Sequence, residues 1–231
     1  MKGTLLLLPC HMGDSNADMT AVPALLELIH STEHFIVENV KTARRWLRTL
    51  DREIPIDPLT FHTLNKHTSP HDLEGFLSVA KQGGTVALLS EAGLPCIADP
   101  GAQVVEIAHR LNIKVTPIPG PSSILLALIA SGFNGQNFCF HGYLAKDQGE
   151  RIRQIKELES NSRRQTQIFM ETPFRAQHVF TDLLNECKES TRLCLASDIT
   201  LKTEMIKTQE IGKWKKRRPD LKKRLCVFLL G

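Results

Sequence analysis

Two loops carry the residue types best suited to holding a small ligand. Residues 90–101 read S-E-A-G-L-P-C-I-A-D-P-G and residues 117–123 read P-I-P-G-P-S-S. Gly93 and Gly120 let a backbone approach a ligand with no Cβ in the way. Pro95, Pro100, Pro119 and Pro121 pin the loop shape and reduce the freedom lost on folding. Ser122 and Ser123 stand where a hydroxyl can cap a helix over 124–131. Backbone N–H and C=O groups in such rigid loops suit an adenine, a ribose or an amino-acid moiety. There is no G-x-x-x-x-G-K-[ST] and no G-x-G-x-x-G, which disfavours a P-loop hydrolase and a dinucleotide dehydrogenase. His62, His67 and His71 follow no common zinc spacing and read as a polar loop. Cys10 and His11 read as ordinary loop residues, and no metal is expected.

The elements that must position these loops follow from the hydropathy pattern. Short apolar runs at 4–9, 34–38, 85–90, 114–118, 137–141, 165–171, 192–197, 204–211 and 225–230 read as strands. Helical periodicity separates most of them. Its faces include Val22, Leu25, Leu26, Leu28 and Ile29, then Val104, Val105, Ile107, Ala108 and Leu111, and later Val179, Phe180, Leu183 and Leu184. This alternation predicts an α/β protein with mainly parallel strands. Both Gly/Pro loops follow a predicted strand and precede a predicted helix, where open α/β sheets bind ligands. The second loop also marks a domain boundary near residue 120.

Composition narrows the class. The 231 residues are 42% hydrophobic and 23% charged, which excludes a disordered chain, a fibre or a disulfide scaffold. Six cysteines form no C-x-x-C pair, and the apolar run 5–8 is too short for a signal peptide. No run approaches the ~20 apolar residues of a membrane span. The expectation is a soluble cytoplasmic protein with reduced, mostly buried cysteines. A net charge of +4 alone argues for no nucleic acid, but residues 202–224 carry +7 and the rest of the chain −3. That segment is either a solvated loop and helix face or a patch for RNA phosphates.

The motifs together resemble the tetrapyrrole methylase superfamily of S-adenosylmethionine-dependent methyltransferases. Within it they are most similar to the branch that methylates a cytidine ribose 2′-oxygen in small-subunit ribosomal RNA. Residues 90–101 are similar to that branch's S-D-A-G-T-P-x-I-S-D-P-G, and 115–122 to its V-x-P-L-P-G-P-x. Residues 140–146 (F-H-G-Y-L-A-K) resemble F-x-G-F-L-P-x-K, and 170–175 (M-E-T-P-F-R) resemble Y-E-S-P-H-R. Residues 38–44 (E-N-V-K-T-A-R) sit where the family has A-E-D-T-R, and 61–65 (F-H-T-L-N) where it has H-x-H-N. The chain departs from the pattern at Glu91 and Leu94, at Leu64, and in its first loop, 9–16, which keeps only the pair Gly13-Asp14.

The resemblance implies a two-domain α/β fold, 1–118 and 119–231, with a parallel sheet in the first domain and a mixed sheet in the second. It implies S-adenosylmethionine in the cleft between domains, contacted by Pro9, Ser90, Glu91, Ala92, Gly93, Ala98, Asp99, Ser122, Ser123 and Met170. Arg44, His62 and Asn65 would meet substrate. Methyl transfer calls for alignment and a dry site rather than a metal. A 2′-hydroxyl nucleophile benefits from a base, for which Glu38 and Glu91 are the expected carboxylates. Glu38 alternatively reads as a satisfied strand-end carboxylate, and Met170 as a core methionine. A homodimer is implied, with ribosomal RNA or the small ribosomal subunit as partner. The alternatives are methylation of a tetrapyrrole or other small metabolite, and a cofactor-binding protein without catalysis.

Overall fold

In the computed structural model, residues 2–13, 23–65 and 67–231 are described. Val22 and residues 14–16 of the first loop therefore lie outside the described residues. The chain divides into two compact units, 1–122 and 123–231.

The first unit is built on β1 (Thr4–Leu8), β2 (His34–Val37), β3 (Thr60–Thr63), β4 (Thr85–Leu89) and β5 (Lys114–Pro117). The sheet order is β3-β2-β4-β1-β5 and every pairing is parallel. Its helices are α1 (Pro23–His30), α2 (Val40–Leu50), α3 (Pro70–Phe76), α4 (Ser78–Lys81) and α5 (Ala102–Arg110). Successive strand residues point to opposite faces. Leu6, Leu8, Phe35, Val37, Ala87 and Leu89 pack with Leu25, Ile29 and Leu47 of α1 and α2 on one side. Leu5, Ile36, Val86 and Leu88 pack with Leu73, Ala80, Val104 and Ile107 of α3–α5 on the other. Burial on both faces explains why these strands read as continuous apolar runs.

The second unit holds β6 (Phe138–Tyr143), β7 (Thr166–Glu171), β8 (Arg192–Ser197), β9 (Met205–Glu210) and β10 (Cys226–Leu230). The order is β6-β7-β10-β8-β9; β6 and β7 are parallel and the other pairings antiparallel. The expected mixed sheet is thus present. Its helices are α6 (Ser123–Ser131), α7 (Gln148–Ser162), α8 (Ala176–Glu186) and α9 (Ile211–Lys216). Phe169, Leu195 and Phe228 pack one sheet face against Ile155 of α7, Phe180 of α8 and Trp214 of α9.

Two expectations change. Residues 60–63 form β3, an edge strand, so His62 is not in a loop, and His71 lies in α3. Residues 202–224 hold the expected strand, β9, and α9, with Ile211, Trp214 and Leu221 buried beneath the charges. Residues 119–122 group with the first unit rather than the second. All six cysteines are free, and four of them are buried. Among the described residues no helix is long and apolar enough to cross a membrane.

Candidate functional site

The carboxyl ends of β2, β4, β1 and β5 bring the expected first-unit residues to one edge of the parallel sheet. Pro9 and Cys10 follow β1, Glu38 follows β2, Ser90 and Glu91 follow β4, and residues 118–122 follow β5.

Two of these loops interlock through their backbones, and the third closes on them. Cys10 N–H donates to the Gly93 carbonyl at 2.8 Å, and Gly93 N–H donates to the Cys10 carbonyl at 3.1 Å. The buried Ser90 hydroxyl lies 3.3 Å from both the Ala92 and Gly93 carbonyls. Gly93 has φ +72°, and a Cβ there would sit 3.2 Å from the Pro121 carbonyl oxygen. A Cβ on Gly120 would fall 2.0 Å from the Pro9 Cβ, so only glycine allows the third loop to close on the first. Cys96 and Ala98 adopt left-handed backbone, with φ 68° and 61°. Asp99 holds that strained turn: its Oδ1 accepts the Cys96 N–H at 2.8 Å and the Gly101 N–H at 3.0 Å. Left-handed geometry in non-glycine residues persists where surrounding bonds over-determine it.

The same edge is acidic. Glu91 and Asp99 both lie within electrostatic range of Glu38. Burial pushes the Glu38 carboxyl above its ordinary value, the Asp99 and Glu91 charges add to this, and the Glu91 N–H bonded to it opposes. Burial also raises the Asp99 carboxyl against its two backbone donors. The Cys96 thiol is pushed up to about 11, first by burial and then by Asp99. Burial, Glu91 and Asp99 push the Cys10 thiol upward too, so both thiols stay protonated at neutral pH. The Glu91 Oε1 accepts the Thr42 hydroxyl at 2.7 Å. Thr42 is placed by Asn39, which caps α2 by accepting from the Lys41 and Thr42 N–H groups. Thr42 and Asn39 escaped sequence reasoning, although Asn before a helical run is a recognisable cap signal.

The residues expected to meet substrate are not equivalent. Arg44 is exposed and lies 5.3 Å above the Phe61 ring. His62 packs between His34 and Phe76, with ring centroids 6.0 and 4.9 Å away. Burial, with His34 adding to it, lowers the His62 pKa and favours the neutral ring. Asn65 shapes the turn after β3 by accepting the His67 N–H at 2.8 Å. Among the described residues no three His, Cys, Asp or Glu side chains are grouped to hold a metal ion.

Ser123 and Met170 belong to the second unit. Ser123 opens α6. Met170 lies near the end of β7, paired with Val227 and Tyr143. Two arginines fasten the segment after β6 beside it. Arg175 pairs with buried Glu171 at 3.0 Å, by charge rather than by a directed hydrogen bond, and donates to the Leu144 and Ala145 carbonyls at 2.9 Å. Arg151 pairs with Asp182 at 2.8 Å and donates to the Ala145 and Lys146 carbonyls. The motifs 140–146 and 170–175 are therefore one hydrogen-bonded assembly. Sequence reasoning missed Arg151 and Asp182, whose signal was a charge within each apolar helical face.

An open parallel sheet with interlocked Gly/Pro loops at its carboxyl edge, linked to a mixed-sheet unit, defines a two-unit α/β ligand-binding fold. Residues 21–214 match the model of the tetrapyrrole (corrin/porphyrin) methylases, and the chain belongs to that family of S-adenosylmethionine-dependent methyltransferases. Its relatives include ribosomal RNA small subunit methyltransferase I of Bacillus subtilis, 31% identical over 87% of this chain. The protein of the same name from Escherichia coli O157:H7 is 30% identical over 99% of this chain and 78% of its own length. The chain spans 65% of the Bacillus relative and 50% of one from Buchnera aphidicola. Among solved structures, diphthine synthase superposes with a TM-score of 0.69 at 16% identity, over 99% of this chain and 89% of that one. Cobalt precorrin-4 methyltransferase gives 0.63 at 13% identity, over 99% and 94%.

Proposed function

We propose that the protein transfers a methyl group from S-adenosylmethionine to ribosomal RNA, at a ribose 2′-oxygen. The observation that carries this reading is the acidic edge beside the interlocked loops. The names of the relatives supply the substrate class.

The residues at that edge fit the cofactor. Ala92, Ala98, Pro119 and Gly120 are exposed there with small or compact side chains, leaving the backbone within reach of a nucleoside. Glu38, Glu91 and Asp99 favour a cationic ligand, and the sulfonium of S-adenosylmethionine is one. When bound, the cofactor supplies an electrophilic methyl group. Pro9, Ser90, Ala92, Gly93 and Ser122 shape the loops that hold it, and Asp99 keeps the 96–101 turn rigid. Such fixed geometry is what an in-line displacement requires.

Glu38 takes the proton from the ribose hydroxyl. Its raised pKa brings it closer to the working pH, which favours a general base. Glu91 positions it through its backbone N–H, and Thr42 anchors the Glu91 side chain. Arg44, exposed on α2, meets the RNA backbone, whereas His62 and Asn65 build the wall behind it. The active species is a homodimer in the cytoplasm. Exposed Leu125 and Ile129 on α6, and Phe138 and Tyr143 on edge strand β6, offer apolar surface to a second copy.

The direct test supplies the protein with S-adenosylmethionine labelled in its methyl group and with small ribosomal subunits lacking ribose methylation. Label in a 2′-O-methyl nucleoside is the expected result. Cofactor binding without transfer to any ribosomal RNA would refute the substrate and return the small-metabolite reading.

A further inference from the structure

The second unit contains a cavity of about 540 Å³ that lies away from the segment carrying Met170. It is lined by the end of α7, the turn between α8 and β8, and the start of β8. No residue of β7, the strand that carries Met170, is among those that line it.

The lining is basic and hydroxylated. Lys156, Arg163, Lys188 and Arg192 contribute four cations, and Ser160 and Ser190 contribute hydroxyl groups. Its one side-chain carboxylate, Glu159, already accepts the Lys188 N–H at 2.7 Å and the Thr191 hydroxyl. Lys156 pairs with Glu186 at 3.0 Å. Arg163, Lys188 and Arg192 form no ion pair among the described residues, and Arg192 is steadied 4.8 Å above the Phe133 ring. Three exposed cations facing one cavity repel each other, an arrangement that a bound polyanion relieves.

The turn that lines the cavity is also the mooring of the basic segment. The Thr191 carbonyl accepts the Ile211 N–H at 2.9 Å, and the Glu189 carbonyl accepts the Gly212 N–H at 2.9 Å. Lys215 of α9 pairs with the Glu189 side chain at 3.4 Å. The turn that lines the cavity is thus tied to α9, which carries Lys213, Lys215 and Lys216. Hydroxyls beside arginine and lysine are the usual contacts to phosphate and ribose oxygens.

We propose that this cavity, continued by α9, holds the phosphodiester backbone of the RNA substrate. The inference rests on the RNA reading above and adds to it a docking surface. Arg163 and Lys188 each contact a phosphate, with Ser160 and Ser190 as neutral donors to the chain between them.

The test compares the wild-type protein with Arg163→Gln/Lys188→Gln, both exposed positions whose loss leaves the core intact. Binding of fluorescent polyuridylate is measured from about 50 to 200 mM salt. At about 0.7 per phosphate contact on single-stranded RNA, the variant's slope of log K against log salt is shallower by about 1.4. KM for undermethylated ribosomal subunits rises, while kcat and S-adenosylmethionine affinity stay as in the wild type. An unchanged salt slope overturns the proposal, as does a wild-type protein that binds no polyuridylate at about 50 mM salt. The two readings fail separately. Methylation by the wild type with an unchanged slope in the variant removes the docking surface alone. A shallower slope without methyl transfer removes the ribosomal RNA methylase reading and keeps the RNA surface.

Discussion

Gly93→Val tests whether the loop geometry is what holds the cofactor. The backbone at Gly93 has φ +72°, where an L side chain is strained by about 1–3 kcal/mol. The new Cβ would meet the Pro121 carbonyl oxygen at 3.2 Å and the Met12 Cγ and Sδ at 3.9 Å, and overpacking of that kind costs about 1–3 kcal/mol. Reduced freedom of the unfolded chain returns about 0.4–1 kcal/mol. The net destabilisation is about 1–5 kcal/mol, a fall in Tm on the order of 10 °C. The first obstacle is the Pro121 carbonyl, not a ligand, so affinity falls through displacement of the loop. If half the strain is relieved that way, binding must restore about 1.5 kcal/mol, which weakens S-adenosylmethionine roughly tenfold. Calorimetry and a thermal melt read both effects. Gly75→Ala in α3 is the control: nothing lies within 4 Å of its added Cβ, and removing a helical glycine stabilises by about 0.5–1 kcal/mol. A Gly93→Val protein that melts early but binds the cofactor normally refutes the loop as the binding element. One that also melts normally refutes the strain reasoning itself.

Three further outcomes are expected. Asp182→Ala strands the buried Arg151 charge and destabilises by about 3–5 kcal/mol in chemical denaturation, whereas Arg151→Met/Asp182→Leu recovers most of the loss. Glu38 has a raised pKa in the folded state, so its contribution to stability is greatest at low pH and is lost as pH rises from the ordinary value of about 4.3 through the folded one. Glu38→Gln therefore flattens that part of the stability–pH curve, and a 10²–10⁴-fold loss of kcat, roughly, follows if Glu38 is the base. Light scattering of the wild type gives roughly 52 kDa, twice the 25.9 kDa chain, and Ile129→Lys on α6 lowers it toward the monomer.

The strands that stood out most plainly in the sequence are those buried on both faces. Strands β1, β2, β4, β8 and β10 bury almost every residue, so they stand out as apolar runs. Strand β3 reads Thr-Phe-His-Thr, pairs on one edge only and exposes both threonines, so its pattern is that of a loop. The glycines of the candidate site were legible because their constraint is local: Gly93 needs its φ, and Gly120 needs to lack a Cβ. The carboxylates were legible as strand-end residues, but their coupling was not. The bond between Glu91 and Thr42 joins residues 49 positions apart, and no spacing rule predicts it. Arg151 and Asp182 are easy to overlook for the opposite reason. A charge on a helix reads as a solvated face, yet Arg151, Ile155 and Leu158 share one buried stripe at i, i+4 and i+7. The +7 segment shows the same limit from the other side. Its charge count was plain, but Ile211, Trp214 and Leu221 are what fix it to the unit. The hydrogen bonds from Ile211 and Gly212, with the Lys215–Glu189 pair, tie it to the 189–191 turn that lines the cavity with Arg163 and Lys188. Charge alone could be spent on solvation; charge tied to the turn of a hydroxyl-lined cavity has a geometry that a phosphate backbone can match.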